Sequence, residues 1–297
     1  MASPFPLTGL RSVDLTMPDL SAAVEFYTGI WGLHLADRSE GTAWLRATGE
    51  DPHVLALHGG GDAAIRSMTF RAAAGTDLSA LAERMAGAGA DLLHAPRALH
   101  EHGGGTAIAA RDPRGRTIRV VQGDDLATPL PPAADRPERL AHVNINSTDV
   151  DADARFLEAA LGFRLTDRSG MMAFERTNSD HHSVVIAAGP VNGLNHVAFQ
   201  HSGWEGVMRA AGRMVDAGFL IGWGPGRHGP GDNVFVYFVD PFGFVIEHTS
   251  EVLQVDDEYR VRGPGDWTWP PGRTDQWGIC PPKTAECKAA QIAIPFS

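Results

Sequence analysis

Leu140-Ala-His-Val-Asn-Ile145 is the stretch on which the fold turns, because it recurs as Leu194-Asn-His-Val-Ala-Phe199 and, altered, as Leu10-Arg-Ser-Val-Asp-Leu15 and Ile65-Arg-Ser-Met-Thr-Phe70. Each hexad alternates apolar and polar side chains at a period of two, as a half-buried strand does. The first and third in chain order lie 130 residues apart, and the register persists downstream: Phe26 with Phe156, Trp31 with Leu161, Gly32 with Gly162, Leu35 with Leu165. Later the offset is 128, pairing Asp112-Pro113-Arg114-Gly115 with Asp240-Pro241-Phe242-Gly243. Matching in order over this length implies a duplicated domain, each copy itself a doubled unit.

Within a unit the strand leads into a helix. Asp149 is placed to cap its start, Val150, Ala154, Leu157 and Leu161 recur at helical spacing, and Gly162 ends it. Alternating runs follow at Met171–Phe174, Ser183–Ala187, Val234–Val239 and Phe244–Thr249, so the pattern is β-α-β-β-β used four times. The expected fold is therefore α+β: two tandem domains, residues 8–126 and 138–252, each of two βαβββ units curled into a partly closed mixed barrel. A Pro-rich stretch, 127–137, reads as a stiff linker. Residues 253–297 lose the periodicity but carry Trp267, Trp269 and Trp277, which predicts a tail packed back on the body or on a partner.

Composition narrows the function classes. The chain has 297 residues with 25 Lys+Arg against 36 Asp+Glu, a net charge of −11, which argues against nucleic-acid binding. The start, MASPFPLTGL, lacks a basic leader and a long apolar run, and no run of membrane-spanning length occurs elsewhere, so a cytoplasmic protein is expected. The two cysteines, Cys280 and Cys287, lie in the tail and read as reduced structural residues. Glycines at Gly224, Gly226, Gly229 and Gly231 lack the GxxxxGK pattern and do not form a phosphate loop.

The histidines carry the chemistry. His142, Asn144 and Asn146 share one face of their strand, and His196 holds the equivalent place in the next unit, so a curled sheet aims both imidazoles inward. Asp240-Pro241-Phe242-Gly243 suits a type I turn completed by a left-handed Gly and a bulge, a register that sets Tyr237 opposite Glu247 on one face. A two-residue loop would instead set Tyr237 opposite Ile246, so this step depends on the bulge. Two imidazoles and a carboxylate on a rigid sheet match the facial triad that holds non-haem Fe(II). The first copy has Ser12, Ser67 and Arg119 at the three positions, so all three ligands are absent together from one copy and present together in the other.

At this point the residues resemble a known family. Residues 140–250 resemble the type I extradiol ring-cleaving dioxygenases of the vicinal oxygen chelate superfamily through Gly224-Pro-Gly-Arg-His-Gly229, Tyr237, Asp240-Pro241, Gly243 and Ile246-Glu247, and through His181-His182-Ser183 before His196. As architecture the resemblance spans roughly residues 8–250. It implies that His142, His196 and Glu247 ligate Fe(II), with Mn(II) used by some relatives, and that O2 is the co-substrate. By the same resemblance His181 is the acid/base histidine beyond the metal ligands, His228 a pocket histidine and Tyr237 a tyrosine beside the substrate. Asn144 lies next to the metal and Phe174 bounds the pocket, as the segment from Trp204 and the tail tryptophans are also read to do. On an extended strand His182 faces the other way and is structural.

The expected partners are a small aromatic diol and, by the same resemblance, further copies of the chain; neither nucleic acid nor membrane is expected. Two rivals share the fold: a glyoxalase-like isomerase or lyase, whose metal usually takes a second Glu and ligands from more than one unit, and a metal-free binder of a small aromatic ligand.

Overall fold

In the computed structural model residues 5–297 are described; residues 1–4, which belong to the stretch read for a leader, lie outside the described residues. The first unit comprises β1 (Leu7–Met17), α1 (Leu20–Glu25) continued by a π-helical turn (Phe26–Trp31), β2 (His34–Arg38), β3 (Thr42–Arg46) and β4 (Leu55–Gly59). The second comprises β5 (Ala64–Ala72), α2 (Leu78–Gly87), β6 (Asp91–Ala98), β7 (Thr106–Arg111) and β8 (Thr117–Gln122). The third comprises β9 (Arg139–Ser147), α3 (Val150–Leu161), β10 (Arg164–Arg168), β11 (Met172–Arg176) and β12 (Val184–Ala188). The fourth comprises β13 (Gly193–Gln200), α4 (Trp204–Asp216), β14 (Trp223–Arg227), β15 (Val234–Val239) and β16 (Val245–Ser250). All four hexads lie within strands that open their units. Local chemistry sets α3 as the sequence reading expects: the Asp149 side chain accepts from Ala152 N–H, and Gly162 ends the helix at φ 71°.

The units join in pairs. One sheet runs β2-β3-β4-β1-β5-β8-β7-β6, the other β10-β11-β12-β9-β13-β16-β15-β14. Its edge strands β10 and β14 do not pair with each other, so the second sheet curls without closing. At its centre β9 and β13 are antiparallel with His142 opposite Ala198 and Asn144 opposite His196, while β13 and β16 are parallel with Ala198 beside Glu247.

Each copy sends a helix to the other, and one continuous apolar core spans both sheets. Phe26 packs edge-on against Phe219 and Trp31 against Phe199, both at 5.3 Å between ring centroids. In return Phe163 meets Phe70 at 5.3 Å. Polar anchors follow the same exchange. The Tyr27 hydroxyl donates to Asp240 Oδ2 at 2.7 Å, and Arg116, held on Asp112 at 2.6 Å, reaches Asp153 of α3 at 2.5 Å. The turn that positions Tyr237 and Glu247 is thus tied down by the other copy.

The tail packs back on the body. Arg262 bridges to Asp167, α5 (Ala285–Ala290) lies against β15, and β17 (Ile294–Pro295) pairs antiparallel with the start of β13. Among the described residues no helix is long and apolar enough to cross a membrane.

Candidate metal centre

The hairpin register that sequence reasoning made conditional on a bulge is the observed one. Asp240 N–H donates to the Phe244 carbonyl at 2.9 Å, Gly243 adopts φ 91°, and Tyr237 pairs with Glu247. Together with the β9/β13 register this brings three side chains to one point. His142 Nε2 and His196 Nε2 are 3.1 Å apart, and Glu247 Oε2 lies 3.3 Å from the first and 3.1 Å from the second. All three residues are buried.

The donor set fits a divalent ion. Asn195 Oδ1 faces His196 Nδ1 at 2.9 Å, which makes Nδ1 the protonated nitrogen and leaves Nε2 with its lone pair toward the other two. Burial lowers the His196 pKa to about 4, which Glu247 offsets in part, so this imidazole is neutral near pH 7. Burial pushes the Glu247 carboxyl up, and the facing histidines pull it well below the usual carboxylate range when they carry the proton. Its Oε2 receives no donor from the described residues. Acceptor atoms converging this closely in a dry site repel one another unless a cation sits among them. Donors about 2.1 Å from a metal are about 3.0 Å apart at neighbouring octahedral positions and about 3.4 Å apart at tetrahedral ones. The observed 3.1–3.3 Å falls between the two values, and a set of three protein donors leaves further positions for other ligands.

A cavity of about 390 Å³ opens over this triad. His142, Asn144 and Asn146 all line it, as the alternation of β9 requires, and Asn144 Oδ1 is buried with no partner. Tyr237 points its hydroxyl between His228 Nε2 at 3.1 Å and His196 Nε2 at 3.5 Å. Burial, with Glu247 adding to it, raises the Tyr237 pKa well above its ordinary value and keeps the phenol a donor. His228 stacks on Phe235 at 3.9 Å, and burial lowers its pKa to about 3. Phe174, Trp267 and Trp269 complete the apolar wall.

Two expectations fail on geometry. His181 does not face the cavity; its Nε2 meets Asp167 Oδ2 at 2.8 Å, behind the wall. The cavity-facing residue is His182, whose ring lies 4.4 Å from that of His142. The reason is that residues 181–183 bend rather than extend: His181 N–H bonds to the Leu253 carbonyl of the tail and Ser183 N–H to Glu175. Strict alternation is lost there and the phase shifts by one. Gly231 permits the close packing, since at φ 83° a Cβ would stand 2.7 Å from the His182 ring. The second failure is Trp204, which is exposed on α4 away from the cavity; Trp277 does not line it either.

Among the described residues the first copy brings together no comparable group of three potential ligands. Its cleft is wider, about 1470 Å³, but has Ser67 and Arg119 on its wall. Arg119 is engaged by Glu101 at 2.6 Å, and Asp14 by His58 at 2.9 Å. Sequence reasoning overlooked Asp167, Asn195 and the tail residues Tyr259, Lys283, Lys288 and Gln291. For the lysines a signal was present: they are the only two in 297 residues, and both line the cavity.

The chain belongs to the Glyoxalase/Bleomycin resistance protein/Dioxygenase superfamily, whose family profile matches residues 9–120 and again 139–248. It is 28% identical to Metapyrocatechase 2 of Cupriavidus necator, over 90% of this chain and 87% of that one. It is 27% identical to the manganese-dependent 2,3-dihydroxybiphenyl 1,2-dioxygenase of Geobacillus genomosp. 3, over 77% and 80%. Among solved structures, a Mn(II)-bound glyoxalase from Novosphingobium aromaticivorans superposes with TM-score 0.87 at 32% identity, covering 99% of this chain and 95% of the other. Homoprotocatechuate 2,3-dioxygenase from B. fuscum shares the fold at TM-score 0.82 and 24% identity, over 94% and 80%.

Proposed function

We propose that the chain is an extradiol dioxygenase that cleaves a catechol-type ring beside its vicinal diol, with both atoms of O2 entering the ring-opened product. The observation that carries this reading is the His142/His196/Glu247 triad at the floor of a cavity whose open side is bordered by Tyr237, His228 and His182. Two relatives named for the same chemistry, noted above, support it. We take Fe(II) as the metal, with Mn(II) as the alternative that the Geobacillus relative illustrates. In this reading residues 138–252 are the catalytic half, 8–126 a metal-free scaffold and 253–297 its cover.

His142, His196 and Glu247 would hold a divalent metal, which would supply Lewis-acid activation of the diol and a binding place for dioxygen. The residues around it do the rest. Tyr237 donates its phenolic hydrogen to a substrate oxygen as negative charge develops, and His228 at 3.1 Å orients that hydroxyl. His182 is the acid/base group. His181 Nε2 is committed to Asp167, and the two Nδ1 atoms are 3.0 Å apart, so Asp167 sets the tautomer of His181, which in turn takes the His182 Nδ1 proton. His182 Nε2 is left free, and burial holds the ring neutral, ready to accept a diol proton and return it. Asn144 Oδ1 offers an acceptor beside the triad, Phe174 bounds the cavity, and Trp267 and Trp269 wall it against water.

A glyoxalase-like isomerase usually takes a second carboxylate at the metal, and among the described residues that line the cavity none is Asp or Glu. The test is anaerobic purification with Fe(II) or Mn(II), a panel of catechols, and O2 uptake with a new ring-fission chromophore. Uptake with at least one diol is expected, with metal lost in His142→Ala and His196→Ala. No uptake with any diol, and metal content unchanged in both variants, overturns the reading.

A further inference from the structure

We infer that the cavity is built for a catechol carrying a carboxylate, which Lys283 of the tail binds at the end of the ring remote from the diol. The inference rests on the dioxygenase reading of the cavity.

Charge is the first observation. The protein carries a net charge of −11 and uses arginine for every cation except Lys283 and Lys288. Both of those ammonium groups lie on the cavity wall, where no carboxylate is exposed among the described residues. The cavity is thus locally positive within an acidic molecule, an arrangement that concentrates a small anion at its mouth.

Placement is the second. Lys283 Nζ lies 4.5 Å from the centroid of Trp223 and 5.6 Å from that of Tyr237, and Tyr237 in turn is edge-on to His196 at 4.9 Å. The tyrosine ring therefore neighbours both the ammonium and His196, and on this inference Lys283 meets the part of the substrate that extends past the diol. Of its three N–H donors, one is taken by Gln291 Oε1 at 2.7 Å; the other two have no acceptor among the described residues. Gln291 is itself fixed by Asn195 Oδ1 at 2.5 Å, so the lysine is held through the residue that orients His196. Burial lowers the Lys283 pKa, and an anion beside it restores the charged form. Lys288 is exposed at the rim and supplies long-range attraction in place of a bond.

The experiment compares catechol and methylcatechol with protocatechuate and dihydrocaffeate, two carboxylates of different reach. Steady-state kcat/KM is measured in Fe(II)-loaded enzyme, and anaerobic binding is followed by tryptophan fluorescence. The wild type is expected to favour the better carboxylate about ten-fold or more in both readouts. Lys283→Met and Lys283→Gln are expected to erase that preference, and Lys283→Arg to restore part of it. Equal losses on neutral and carboxylated diols overturn the inference, as does a wild type without preference; in both cases turnover of neutral diols leaves the dioxygenase reading standing. Tighter carboxylate binding that is lost in Lys283→Met, without O2 uptake from any diol, supports the anion site and removes the dioxygenase reading.

Discussion

Glu175 should make the protein less stable as pH rises, and replacing it by glutamine should remove that slope. It lies on β11 next to Phe174, fully buried, and neither carboxyl oxygen has a hydrogen-bond partner among the described residues. Burial, with Glu158 adding and Arg168 opposing, pushes its pKa from 4.5 up to about 9. Below 4.5 both folded and unfolded chains hold the proton and the group costs nothing extra. Between 4.5 and about 9 the unfolded chain ionises while the folded chain keeps its proton, so stability falls as pH rises. The slope is about 1.4 kcal/mol per pH unit, which from 4.5 to neutral pH amounts to about 3 kcal/mol. Glu175→Gln keeps the size and leaves the same buried oxygen unpaired, so the difference between the two proteins isolates ionisation. Paired thermal melts at several pH values between 5 and 8 test it. The variant should melt roughly 6 °C higher at pH 7, at roughly 2 °C per kcal/mol for a chain of this size, with a gap that widens as pH rises. Parallel curves across that range would mean that Glu175 is ionised in the folded protein and would refute the argument.

Three further outcomes are expected. His182→Ala should keep the bound metal but lower kcat by about 100-fold or more, while His181→Ala should lower it by about ten-fold and also reduce Tm, because Asp167 loses its partner; a larger kcat loss in His181→Ala counts against the assignment. Tyr237→Phe should retain metal by elemental analysis and lose kcat/KM by about 10- to 100-fold, since only the hydroxyl at 3.1 Å from His228 is removed. Tyr27→Phe, far from the metal, should cost about 1–2 kcal/mol in a denaturant titration by removing the buried bond to Asp240.

Much of the fold was legible because its signals are local and repeated. The hexads alternate at the strand period, Asp149 and Gly162 bracket a helix, and Asp240 to Gly243 specify a bulged turn, so the register of Tyr237 with Glu247 follows from short-range chemistry. Duplication multiplied each signal, and the joint replacement of His142, His196 and Glu247 by Ser12, Ser67 and Arg119 set these three apart as candidate ligands.

His181 and His182 could not be assigned in the same way, because their orientation depends on groups distant in the chain: the Leu253 carbonyl and Asp167 pull the backbone and His181 behind the wall. The tail is a similar case. It has no periodicity to read, and only its packing shows that Lys283 and Gln291 reach the cavity. Strand, helix, turn and the His142/His196/Glu247 triad were carried by the amino-acid order, since each needs only neighbours a few residues away or one hairpin register. Which of His181 and His182 faces the cavity, and the charge at its mouth, waited on the folded chain, since both arise where segments far apart in sequence are pressed together.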